Sequence, residues 1–216
     1  MIPELENAQT TPVTMELPNV AIPRGEVLKR LGYPTASFEL QEPVRSIFED
    51  ALREAAGLMR SRAAYRALRI ESNDGNAVRF QGTEFSIESR QVAKLMAHAK
   101  AAVCFAATVG PALDEAVSGR MRNGDMLMAT ILDAIGSETA DAAADELHWK
   151  ILSRRAEAAG CPVTARFSPG YGDWSLTVQK DLIGICGGSL IGITVTPSSL
   201  MIPRKSVSAV FGIQIE

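Results

Sequence analysis

From Pro43 onward, apolar residues recur at three- and four-residue steps: Val44, Ile47, Phe48, Ala51, Leu52, Ala55 and Met59. That is the spacing of one buried helical face. The period returns between Gly124 and Gly160, where Leu127, Ile131, Leu132, Ile135, Thr139, Ala142 and Ala143 trace a stripe through a stretch with no proline. Gly160 supplies the stop. Shorter helices are predicted where Pro23-Arg24-Gly25-Glu26 opens a segment closed by Gly32, near 88–98, over 111–122 and near 176–184.

Strand patterns alternate with these. Residues 64–71 and 77–80 flank Asn73-Asp74-Gly75-Asn76, hairpin chemistry because Asp-Gly tolerates positive φ. Residues 101–108 are continuously apolar and short, the mark of a strand buried on both faces. The β-branched runs 190–196 and 206–215 predict two more strands. Residues 1–22, interrupted by proline, read as an extended arm, and 23–216 as a single domain. Hairpins mixed with helices, without strict alternation, point to an α+β fold rather than a doubly wound parallel sheet.

Composition narrows the function classes. The formal net charge of -3 leaves no global basic field to hold a nucleic-acid backbone. No apolar run approaches the roughly 20 residues of a membrane helix. The N-terminus has neither a basic start nor an apolar core, so no secretory leader is read there. Three cysteines, Cys104, Cys161 and Cys186, fit a reducing cytoplasm. With only His98 and His148, a histidine-rich metal site is excluded, and no metal site is expected.

Candidate chemistry is sparse. No glycine-rich phosphate fingerprint is present, and Gly184-Ile185-Cys186-Gly187-Gly188-Ser189 matches no hydrolase signature. The bland reading of Cys186 is a small core residue beside a loop; a cysteine-dependent enzyme is the sharp one. Glu138, Asp141, Asp145 and His148 step by three, four and three, which puts them on one helix face. Either that face is solvated, or one of its acids holds a ligand cation. Residues 166–174 carry the most information. Pro169-Gly170 fixes a turn and lets backbone approach a ligand closely. Arg166 offers a planar fork for a carboxylate, while Tyr171 and Trp174 offer ring faces for a flat base or a cation.

Several of these segments resemble, together, the activation domain of cobalamin-dependent methionine synthase, and more closely its free-standing relatives. They are Asp133-Ala134-Ile135-Gly136-Ser137, Asp141 with Asp145-Glu146-Leu147-His148, the run 165–174 (ARFSPGYGDW) and Lys205-Ser206-Val207-Ser208 within 199–213. Thr108-Val109-Gly110-Pro111 and residues 26–33 extend the likeness more weakly.

The resemblance implies a curved, largely antiparallel sheet flanked by helices. It implies binding of S-adenosylmethionine and support for the reductive methylation, and so reactivation, of a corrinoid (cobalamin) carried by a separate methyltransferase, methionine synthase first among them. An electron donor such as flavodoxin or ferredoxin would join. By motif, Arg166 would grip the methionine carboxylate, Ser168 and Gly170 would offer backbone contacts, and Tyr171 would flank the ligand. Asp141 stands where the family has a glutamate that meets the ammonium group. This chain departs from the family in carrying Thr196-Pro197-Ser198 where a Thr-Glu-Ser segment is usual, and the adenosine-contacting C-terminal segment has no clear match. Those departures motivate the alternative, a binding or docking module that keeps the fold without methyl transfer.

Overall fold

The protein is described by a computed structural model, over residues 11–35 and 37–214. Its centre is strand β5 (Ala101–Thr108), every residue of which is buried. Apolar side chains that alternate to both faces need cover on both, and the chain supplies it. Strand β2 (Arg62–Asn73) pairs antiparallel along one side of β5, from Arg62 opposite Thr108 to Arg69 opposite Ala101. Strand β8 (Ser206–Ile213) pairs antiparallel along the other, from Thr108 opposite Ser206 to Ala101 opposite Ile213.

The outer edge of β2 is shared. Its first half pairs with β1 (Val13–Glu16), and its second half with β3 (Ala77–Phe80) beyond a register shift between Ile70 and Ser72. Strand β4 (Ser86–Glu88) completes the order β4-β3-β2-β5-β8. All of these pairings are antiparallel, and the sheet curls into a half-barrel, as the resemblance implied.

One sheet face packs Phe105, Phe211, Ala63, Ala67, Ala101 and Ala107 against the end of α5 (Met126–Asp145) and the turns after it. The other packs Leu68, Cys104 and Val210 against α3 (Arg90–Leu95), Trp174 and α7 (Gln179–Cys186). A third cluster joins α1 (Arg24–Arg30), α2 (Val44–Leu58) and α4 (Ala112–Arg122) to the outer side of α5.

Three expectations need correction. The arm predicted over 1–22 is extended but not free: Val13–Glu16 is the edge strand β1, and Leu17 is buried in the core. Residues 1–10 lie outside the described residues. Residues 190–196, predicted as a strand, form a 3₁₀ turn at Gly188–Ile191 and only the two-residue strand β6 (Thr194–Val195), paired with β7 (Met201–Ile202). Gly192 has φ of +86° and breaks the extended path. The apolar residues there are inward anchors, with Ile191 and Ile193 buried in the core.

The third correction concerns the long helix predicted over 124–160. It is α5, then a π-helical segment Glu146–Ser153, then α6 (Arg154–Ala158). The wider turn advances the chain less per residue. His148 accordingly leaves the acidic stripe and points into the core, between Trp149 and Phe211. Its Nε2 lies 3.1 Å from the Thr164 carbonyl, and burial pushes its pKa below the usual histidine value.

Candidate active site

The segment leading to the predicted loop runs beside the outer edge of β8. Thr164 and Gly212 exchange bonds, with the Thr164 amide on the Gly212 carbonyl and the Gly212 amide on the Thr164 hydroxyl, each 2.9 Å. Phe167 and Val210 exchange backbone bonds of 2.8 and 2.9 Å. Covering an open edge in this way fixes which residue faces where, and it sets Arg166 beside β8 between the two pairs.

The chain then turns on itself. The Gly170 amide donates to the Trp174 carbonyl at 2.8 Å, and the Trp174 amide to the Tyr171 carbonyl at 3.0 Å. Gly170 needs its φ of +88° for that closure, a conformation costly to any residue with a Cβ. Trp174, expected to offer a ring face to a ligand, is instead buried in the core beside Phe167. It anchors the loop and takes no part in the cleft.

Asp173 ties the loop to α3. Its carboxylate accepts from the Ser89 hydroxyl, from the Arg90 amide at 2.8 Å and from the Gln91 amide at 3.4 Å, the first free donors of that helix. The Ser89 bond first, then those amides, hold its pKa below the ordinary aspartate value. A lowered native pKa contributes stability above the unfolded value of about 4 and loses it as pH falls through the native one. Asp173→Asn is therefore expected to melt below wild type at pH 7. The difference should close below about pH 4, and a gap in melting temperature unchanged down to pH 2 would refute the role.

Beside this loop lies a cleft of about 570 Å³, within the range of small-molecule sites. Arg166, Ser168, Tyr171 and Asp141 all line it; Gly170 stays behind in the turn with its amide already committed. Arg166 is 23% exposed and bridges two acids of α5: its Nε donates to Asp145 at 3.1 Å and one terminal nitrogen to Asp141 at 3.3 Å. The two readings of the acidic stripe thus meet. Asp141 and Asp145 are half-exposed, yet both turn to one cation. Tyr171, at 69% exposed, stands at the rim.

Lining residues that the sequence did not reveal are Phe167, Leu176, Gln179, Met201 and two serines of β8, Ser206 and Ser208. Asp133, Gly136 and Ser137 lie close by as the seat of Lys205, whose ammonium donates to Asp133 at 2.7 Å and to the Ser137 hydroxyl at 2.9 Å.

A slightly larger cleft, about 630 Å³, opens beneath residues 16–24. Its cations are engaged elsewhere: Arg24 pairs with Glu49 over the Phe48 ring, and Arg60 caps the carbonyls of Gly57 and Met59. None of the predicted site residues reaches it. Cys186 is fully buried, and desolvation pushes its thiol up to about 12, which removes the thiolate a cysteine enzyme needs. Among the described residues, no helix is long and apolar enough to cross a membrane.

No protein-family model matches the sequence, and no curated protein matches it. The structure does find a counterpart. It aligns over 95% of this chain, and 79% of the other, with a structure described as the crystal structure of the MetH reactivation domain bound to AdoHcy, at a TM-score of 0.69 and 14% identity.

The chain has the fold of the MetH reactivation domain. The motifs that carried the resemblance in sequence thus belong to a reactivation-domain fold. Within it they form two contiguous structures, the loop 166–174 facing Asp141 and the Lys205 seat on α5.

Proposed function

We propose that this chain binds S-adenosylmethionine in the Asp141–Arg166 cleft and presents its methyl group to a corrinoid carried by a separate methyltransferase, methionine synthase first among the candidates. The observation that carries the reading is the pairing of Asp141 with Arg166 at 3.3 Å on the cleft wall. A bound amino acid would insert its own opposite charges between them, ammonium to Asp141 and carboxylate to the Arg166 fork. The fold lends support, since the MetH reactivation domain was solved with AdoHcy, the demethylated form of this ligand.

The corrinoid would supply the nucleophile, with a donor such as flavodoxin or ferredoxin supplying the electron. The work left to this chain is orientation. A sulfonium is already an activated methyl donor, so no general acid or base is called for, and holding both ends of the ligand fixes where its methyl points. Tyr171 on the rim would border the opening through which the partner approaches.

The test is transfer of labelled methyl from S-adenosylmethionine to the corrinoid of an oxidatively inactivated methyltransferase, with reductant and with or without this chain. Transfer that requires the chain supports the reading. Tight binding of S-adenosylmethionine without transfer to any corrinoid protein leaves the binding-module alternative, and absence of binding overturns the S-adenosylmethionine reading and leaves a module for another ligand or for docking.

Asp141→Asn is expected to weaken S-adenosylmethionine by about 1.5–3 kcal/mol, the scale of a hydrogen bond to a charged group. Folding should hardly change, because the lost partner is half-exposed and Arg166 keeps its bond to Asp145. Calorimetry and a thermal melt check the two halves. Equal affinity in mutant and wild type would return Asp141 to a purely structural ion pair.

A further inference from the structure

We infer that Gln179 reads the purine edge of the ligand and makes the cleft select a 6-aminopurine over a 6-oxopurine. The inference deepens the adenosyl-ligand reading above and rests on it. Gln179 is the first residue of α7, lines the cleft and is only 2% exposed. A buried carboxamide carries two N–H donors and one carbonyl acceptor, and leaving them unpaired costs stability. One donor is used: Nε2 gives a hydrogen bond to the Ser208 hydroxyl at 2.7 Å. No described residue donates to Oε1.

What remains on Gln179 is one N–H and the carbonyl oxygen, on a carboxamide held in place by Ser208. The N6/N7 edge of adenine is the complement, with its N6 amino group as donor next to the N7 acceptor, the pairing by which Gln and Asn recognise adenine elsewhere. On that edge hypoxanthine keeps N7 and differs at one position. It presents a carbonyl where adenine has the amino group, and so sets oxygen against Oε1. Leu176 and Met201 supply apolar wall for a flat ring in the same cleft. A ribose diol held by Gln179 would make no such distinction, because its hydroxyls donate and accept equally well.

The experiment is calorimetric titration of S-adenosylhomocysteine and S-inosylhomocysteine into wild type and Gln179→Met, an unbranched replacement without hydrogen-bonding capacity. Wild type should prefer the adenosyl ligand by on the order of ten- to hundredfold, the discrimination of one bidentate pair. Gln179→Met should bind the two about equally. Equal binding of both ligands by wild type would overturn the inference and leave the proposed function standing. A preference that survives in Gln179→Met would overturn it too, by assigning the purine edge to another group. Failure of both ligands to bind wild type would overturn the proposed function and this inference with it. Should Gln179→Met not fold, the wild-type pair of titrations still decides.

Discussion

Arg166→Ala is expected to lose S-adenosylmethionine affinity by on the order of 2–4 kcal/mol, the cost of leaving a desolvated carboxylate without its partner. Arg166→Lys should fall between mutant and wild type, because an ammonium cannot reproduce two parallel hydrogen bonds. The fold should survive either change. Asp141 and Asp145, which would lose their partner, are half-exposed and can be solvated.

The control lies in the ligand. Decarboxylated S-adenosylmethionine lacks the group that Arg166 is proposed to hold, so it should bind wild type weakly and be nearly indifferent to Arg166→Ala. A cycle over two proteins and two ligands isolates that coupling. If both ligands suffer equally, Arg166 serves to clamp the loop to α5 through its two carboxylates, and the amino-acid end of the ligand is read by something else.

The same residue shows what the sequence can and cannot carry. Arg166, Asp141 and Tyr171 could be picked out because each chemical type is suited to one part of the ligand and because the Pro169-Gly170 turn fixes a local shape. That Arg166 engages Asp145 as well depends on where the strip 162–167 docks along β8, and nothing local encodes it. Gln179 and Ser208 lie 29 residues apart and become one unit only when α7 packs against the sheet.

The fold divides in the same way. Helix α2, strand β5 and the hairpin at Asp74-Gly75 emerge close to their predicted bounds because their patterns are long or their turn residues are specific. Strand β1 does alternate, with Val13 and Met15 packed against the core, but four residues hemmed by Pro12 and Pro18 are too few to show it. At 190–196 the apolar run reports burial, and burial alone does not choose between a strand and a 3₁₀ turn. The π turn at Glu146–Ser153 replaces an α-helical path with the same residues and leaves no mark in the sequence.

Gly136→Val is expected to destabilise the protein by about 2–3 kcal/mol, through overpacking at a site with no room to yield. Glycine inside a helix costs roughly 0.5–1 kcal/mol relative to alanine, so its presence in α5 calls for a reason, and Lys205 supplies one. The lysine is only 6% exposed and lays its methylenes across the helix to reach Asp133 and Ser137. A Cβ at Gly136 would stand 2.5 Å from Leu113 Cδ2 and 2.9 Å from Lys205 Cγ. Neither neighbour is free to move, since Leu113 is fully buried and Lys205 is pinned at its ammonium and by its backbone carbonyl, which accepts from the Val109 amide. Lys205 also begins the run that places Ser206 and Ser208 on the cleft, so ligand affinity should fall together with stability although Gly136 lines nothing. Gly184→Val is the matched control: it lies in α7, exposed, with nothing within 4 Å of a Cβ. There the change should stay within about 0.5 kcal/mol. Urea unfolding of the two variants and wild type measures the contrast. Equal midpoints for Gly136→Val and Gly184→Val would mean that the Asp133–Ser137 segment tolerates a side chain at its centre, and that its glycine is not there to seat Lys205.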